Sequence, residues 1–170
     1  MSIMNSIANV SNPLGRGVDR SAYYSKKYDV VIKITHSWDR GTGEQSNSEK
    51  YLFYRLTEKE KDIFPIVGII EHKQKGTIIL MKKAEVLSRF LSKINYRTKN
   101  RDALYELMCG IRRHSWKNTK ENRAICQSFG INPESIPPLI NFSKKYYVAD
   151  LHLANLGIIK GNLVILDAGF

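Results

Sequence analysis

The stretch that closes the chain constrains it most: Asp150-Leu-His-Leu-Ala-Asn155-Leu-Gly-Ile-Ile-Lys-Gly-Asn-Leu-Val-Ile-Leu-Asp167-Ala-Gly169-Phe170. Apolar runs at Leu156 to Ile159 and Leu163 to Leu166 flank Lys160-Gly161-Asn162. Gly and Asn between β-forming runs signal a hairpin, because a tight turn that matches strand twist needs residues tolerant of positive φ. A hairpin with arms of matched length therefore fills the interval between Asn155 and Asp167. A carboxylate, an amide a few positions on, a hairpin and then Asp-x-Gly is an arrangement suited to phosphate and metal. In phosphoryl transfer a carboxylate such as Asp150 orients or deprotonates the attacking hydroxyl, and an Asn amide oxygen helps to hold Mg2+. Asp167 would supply a second hard oxygen ligand, and Gly169 would allow the sharp turn that follows.

The rest of the chain is consistent with one small two-part unit. At 170 residues it is long enough to bury a core. The first half is strand-rich, with strands expected at Ala22 to Ser25, Asp29 to Thr35, Ile66 to Glu71 and Thr77 to Met81. A polar stretch, Asp39 to Ser48, leads into a helix whose start is expected at Gln45 to Ser48 and which runs to about Leu56. The turn Lys73-Gln-Lys-Gly76 divides the later strands. The second half turns helical. Leu87, Phe90, Leu91 and Ile94 recur at helical spacing, as do Leu104, Leu107, Met108 and Ile111. Asn118 to Phe129 reads as a helix, and Pro137-Pro138 starts another that runs towards Tyr146. The connector between the halves is expected at Lys82 to Glu85.

Net charge is +11, a bias that favours acidic partners such as nucleic acid, nucleotide phosphates or an acidic protein. The basic residues are dispersed (Lys26-Lys27, Lys82-Lys83, Arg112-Arg113, Lys144-Lys145), and no zinc-finger, helix-turn-helix or RNA-reading signature accompanies them. A generally basic soluble surface is therefore favoured over dedicated nucleic-acid binding. No apolar run approaches the ~18 residues of a membrane span, and Met1 to Asn12 lacks the pattern of a secretory signal. Cys109 and Cys126 have no metal or redox spacing and are expected as reduced core thiols in a cytoplasmic protein. His36, His72 and His114 have no partners at metal-ligand spacing. His152 is expected to serve packing or a loop hydrogen bond.

Two further elements carry chemistry. Leu14-Gly15-Arg16-Gly17-Val18-Asp19-Arg20 precedes a candidate strand, and its glycines would let the backbone approach an anion. Arg20 could clash with a phosphate or contact one. Val30-Val31-Ile32-Lys33 is an apolar strand carrying a Lys, and Glu49 lies on the following helix.

Taken in order, these parts resemble a protein kinase reduced to its essentials. The match runs from Leu14 to Phe170: glycine loop, Lys33 strand, Glu49 helix, connector near Lys82, Asp150 with Asn155, and Asp167-Ala-Gly169. In detail the chain is most similar to small kinase-like proteins of tailed bacteriophages, through its glycine loop, Gly43-Glu44-Gln45 and Leu-Asp-Ala-Gly-Phe ending. Secreted bacterial effector kinases with a stripped-down helical lobe are a second comparison. The resemblance implies an α+β, bilobal fold: residues 1–81 as an antiparallel-sheet small lobe, and 82–170 as a truncated helical lobe with the nucleotide in the cleft. It further implies ATP and Mg2+ as cofactors. Gly15, Gly17, Lys33 and Glu49 would bind nucleotide, Asp150 and Lys33 would be catalytic, and Asn155 and Asp167 would hold metal. The implied activity is transfer to a Ser, Thr or Tyr hydroxyl on a host protein, in the host cytoplasm. The alternative is an inert kinase-like module that binds and inhibits a partner.

The sequence departs from the family pattern at several points. Val148-Ala149 stand where His-Arg usually precedes the catalytic Asp, Ala168 replaces the Phe of Asp-Phe-Gly, and Arg20 replaces the third loop glycine. The family's activation segment and peptide-docking helices, which lie beyond this turn, are expected to be absent.

Overall fold

The computed structural model describes residues 14–16, 20–35, 43–73, 76–89 and 99–168. It is a mixed α+β fold with two antiparallel sheets and several helices. The chain divides into two compact units, Met1–Lys61 with Pro65–Lys83, and Asp62–Phe64 with Ala84–Phe170.

The first unit is built on strands β1 (Gly15–Arg16), β2 (Arg20–Ser25), β3 (Val30–Thr35), β4 (Ile66–His72) and β5 (Gly76–Lys82). They form one antiparallel sheet in the order β1-β2-β3-β5-β4. Alternation gives β3 two characters, since successive side chains point to opposite faces. Ile32 and Ile34 join Ile78 and Leu80 of β5 in a buried apolar cluster. Val31, Lys33, Ile79 and Met81 take the other face, by their cross-strand register. Helix α1 (Gly43–Phe53) packs on β5, and the short α2 (Glu58–Lys61) follows. Helix α1 begins before the expected Gln45 to Ser48 start.

The second unit carries β6 (Glu85–Val86), β7 (Leu156–Ile159) and β8 (Asn162–Ile165), in the order β6-β7-β8. Glu85 is thus not part of a connector: its backbone pairs with Ile158. Gly157 makes that pairing possible, because a Cβ there would lie 2.9 Å from Ala84 Cβ and 3.1 Å from Glu85 O. Lys160 and Gly161 form the hairpin turn with φ of 49° and 82°. Helices α3 (Lys99–Arg112), α4 (Lys120–Ser128) and α5 (Ile136–Lys145) complete the unit, with a 3-10 turn at Pro133–Ser135. Leu104, Leu107, Met108 and Ile111 form the buried stripe of α3. Cys109 falls off that stripe and is exposed, unlike buried Cys126, so it is no core thiol. Helix α5 ends in a left-handed residue, Tyr147 (φ 54°), with the Val148 amide returning to Ser143 O at 2.9 Å. This turn sets the direction in which the chain enters Asp150. The expected helical stripe of Phe90, Leu91 and Ile94 lies outside the described residues, as do Gly17, His36 and Gly169.

The outer edge of β8 is not left open. Ile165 N–H donates to Ile63 O at 2.8 Å, and Leu163 N–H donates to Ser135 Oγ at 3.0 Å. Ser135 Oγ also donates to Asn132 O at 2.6 Å. Ser135→Ala strands the Leu163 amide at a buried position. The expected loss is about 1–3 kcal/mol, read as a lower urea midpoint with an unchanged slope. A midpoint equal to that of the wild type would contradict this role.

Candidate functional site

In the first unit the strand register lines up Gly15, Ala22 and Lys33 in one lateral row of the sheet. Paired strands lie about 4.8 Å apart, so Gly15 sits roughly 10 Å from Lys33 along that row. Arg20 is two residues from Ala22 and therefore shares its face, opposite Thr35. Helix α1 covers this face with Ser46, Glu49 and Leu52, all but fully buried. The hydroxyls of Thr35 and Ser46 lie 3.0 Å apart.

Glu49 is the centre of the arrangement. Its side chain is 0% exposed, a position that ordinarily takes an apolar residue. Lys33 Nζ donates to Glu49 Oε1 at 3.0 Å. Arg20 forks the same carboxylate, with Nη1 on Oε2 at 2.7 Å and Nη2 on Oε1 at 3.2 Å. Arg20 and Lys33 are themselves only 7% and 9% exposed. Burying ions costs several kcal/mol each, and the charge-assisted bonds must offset it. Arg20 therefore contacts a carboxylate. The sequence signal for this was an Arg at the place of the third glycine in the glycine loop it resembles, but its partner lies 29 positions away on another element.

Gly15 has a different character. Its φ lies outside the left-handed range, and a Cβ built on it meets nothing within 4 Å among the described residues. Neither backbone strain nor packing by those residues requires glycine there.

In the second unit the loop before β7 alternates its exposure: Leu151 and Leu153 are buried, whereas Asp150, His152 and Ala154 are exposed. The apolar pair anchors the loop, and Ser88 N–H donates to Leu153 O at 3.0 Å. Asn155 Nδ2 donates to both Asp150 O and Asp150 Oδ2, each at 3.0 Å. That fixes the amide end for end. Its oxygen, Oδ1, takes no hydrogen bond among the described residues. The Asn155 carbonyl meanwhile accepts from Leu166 N–H at 2.7 Å, which ties Asn155 to the residue just before Asp167. The matched hairpin arms place Asn155 beside Leu166, next to Asp167, at one end of this small sheet, and the Asn155 amide holds Asp150 there.

His152 belongs to the same loop. Its Nδ1 accepts from Ala154 N–H at 3.2 Å, so the neutral ring carries its proton on Nε2. Nε2 lies 3.4 Å from Asp150 Oδ2. The expected loop hydrogen bond is present, together with a contact to Asp150 that the sequence alone did not indicate.

Among the described residues, no group of three or more His, Cys, Asp or Glu is placed to hold a metal ion. Asn155 and Asp167 are a different kind of donor set, an amide oxygen and a carboxylate. Such a pair fits Mg2+, which keeps waters and takes much of its shell from substrate phosphates. Among the described residues, no helix is long and apolar enough to cross a membrane. Neither the family models searched nor the curated proteins searched give a match to this chain.

Proposed function

We propose that the protein is an ATP- and Mg2+-dependent phosphotransferase of reduced, bilobal protein-kinase type. Its acceptor is a Ser, Thr or Tyr hydroxyl on a protein, with the resemblance to phage kinase-like proteins favouring a host protein. The observation that carries the proposal is the buried Lys33–Glu49 ion pair joining a central strand to its covering helix. A buried charge pair contributes less stability than well-packed apolar residues would. A role for the Lys in binding anions accounts for a charge pair at this buried position.

The roles follow from the chemistry. Lys33 neutralises the α- and β-phosphates while Glu49 orients its ammonium. The backbone at Gly15 lies over the phosphates. Asp150 aligns the acceptor hydroxyl and takes its proton. The hydroxyl oxygen bonds to the γ-phosphorus, the bond to the β–γ bridging oxygen breaks, and ADP leaves. Asn155 Oδ1 and Asp167 would hold Mg2+, which supplies charge neutralisation on the phosphates.

Gly15 gives a first prediction. Gly15→Ala is expected to leave stability unchanged or raise it by up to ~1 kcal/mol, through a stiffer unfolded chain. It is expected to weaken MgATP binding roughly tenfold, equivalent to ~1.4 kcal/mol, because the methyl group occupies the approach of a phosphate. Calorimetric titration beside a thermal melt measures both. Undiminished affinity would remove Gly15 from the site.

The function itself is tested by incubating the protein with γ-labelled ATP, Mg2+ and bacterial lysate. Labelled protein bands whose adduct mass is that of one phosphoryl group are expected. Labelling that persists undiminished in Asp167→Ala would contradict the proposal.

A further inference from the structure

The proposed role of Lys33 poses an electrostatic problem, and the first unit holds a residue suited to solving it. If the Lys33 ammonium turns to a phosphate, Glu49 loses a partner. Glu49 is 0% exposed, and its partners among the described residues are Lys33 and Arg20. A lone buried carboxylate would resist that exchange, because no water replaces the lost cation.

Resting on the kinase-type reading above, we infer that Arg20 is a positioning residue: it is the fixed counter-ion of Glu49, and so releases Lys33 to bind phosphate. Several observations converge on this assignment. Arg20 engages both carboxylate oxygens of Glu49, whereas Lys33 engages one and shares it. A guanidinium stays charged at all working pH values, and its planar fork matches a carboxylate's two oxygens. The β2–β3 register places Arg20 and Lys33 on the same covered face, so neither has to reach around a strand. Glu49 and α1 therefore stay in place whether Lys33 holds the carboxylate or the ligand. The pair is not a switch: α1 is docked before nucleotide arrives.

A double-mutant cycle tests this directly. Wild type, Lys33→Met, Arg20→Gln and the double variant are compared by thermal melting. Lys33→Met alone is expected to lower Tm by only a few degrees. In the Arg20→Gln background the same change strands Glu49, with an additional drop on the order of 10 °C. If Arg20→Gln does not fold, Arg20→Lys replaces it; this keeps the charge but loses the fork, and the coupling should be smaller but present. A merely structural Arg20 would lower Tm without altering what Lys33→Met costs, so an additive cycle overturns the inference.

A binding arm separates this from the function proposal. Arg20→Lys should weaken MgATP binding about tenfold, because Glu49 then competes more strongly for Lys33. Equal affinity in a wild type that binds MgATP overturns the release of Lys33 by Arg20. A wild type that binds no MgATP overturns the proposed function and, with it, phosphate as the destination of Lys33. The melting cycle still decides whether Arg20 is the counter-ion.

Discussion

Asp150→Asn is expected to slow phosphoryl transfer by about 10²–10⁴-fold, the range for losing a positioned general base. MgATP affinity and thermal stability should stay near those of the wild type. The reason for choosing Asn is local. The Asp150 side chain is 56% exposed, and Asn155 Nδ2 donates to its Oδ2 at 3.0 Å. An Asn amide oxygen can accept the same bond, so the loop retains its shape and only the proton acceptor is lost. His152 Nε2 sits 3.4 Å away and cannot substitute, because the hydrogen bond from Ala154 already occupies Nδ1 and Nε2 bears the proton. Asp167→Asn should differ in kind, losing Mg2+-dependent ATP binding as well as the rate. Single-turnover labelling, run beside calorimetric titration, distinguishes these. Full transfer activity in Asp150→Asn would remove the assigned base.

Glu49→Gln is expected to produce the largest loss of stability. Removing one member of a buried ion cluster typically costs about 3–5 kcal/mol, because the remaining charges are left without compensation. Here two cations would be left, Arg20 at 7% and Lys33 at 9% exposure. The glutamine amide keeps the volume but offers them one neutral oxygen and a repelling NH2 group. The urea midpoint should fall sharply with the slope retained, and MgATP binding should weaken with it. A loss below ~1 kcal/mol, the range of exposed pairs, would show that the cluster is solvated and contributes little.

How much of this was legible in the chain depended on how local the determinants were. Strands β3, β4, β5, β7 and β8 stand out as apolar runs between turn residues, and the β7–β8 hairpin lies where Lys160-Gly161-Asn162 puts it. Helix α1 was harder to bound. Its covered face is Ser46, Glu49 and Leu52, so apolar periodicity is nearly absent and the start could not be placed by pattern. The suggestion that Glu49 partners Lys33 came from a family resemblance; spacing alone would have read it as a surface carboxylate. Arg20 was illegible in role because strand register, a tertiary property, decides which face it takes. Strand β6 escaped notice for a similar reason: it is short, and its strand character comes from pairing with β7 far along the chain. Cys109 was misplaced because helical phase turns it away from the Leu104, Leu107, Met108 and Ile111 stripe.

Titration of the wild-type protein with ATP, in the presence and absence of Mg2+, tests the central claim most directly. Saturable binding in the range of about 1 μM to 1 mM, typical of enzyme substrates, is expected only with Mg2+ and is expected to vanish in Asp167→Asn. No binding, or binding indifferent to both Mg2+ and Asp167, would contradict a phosphotransferase built on Lys33, Asn155 and Asp167.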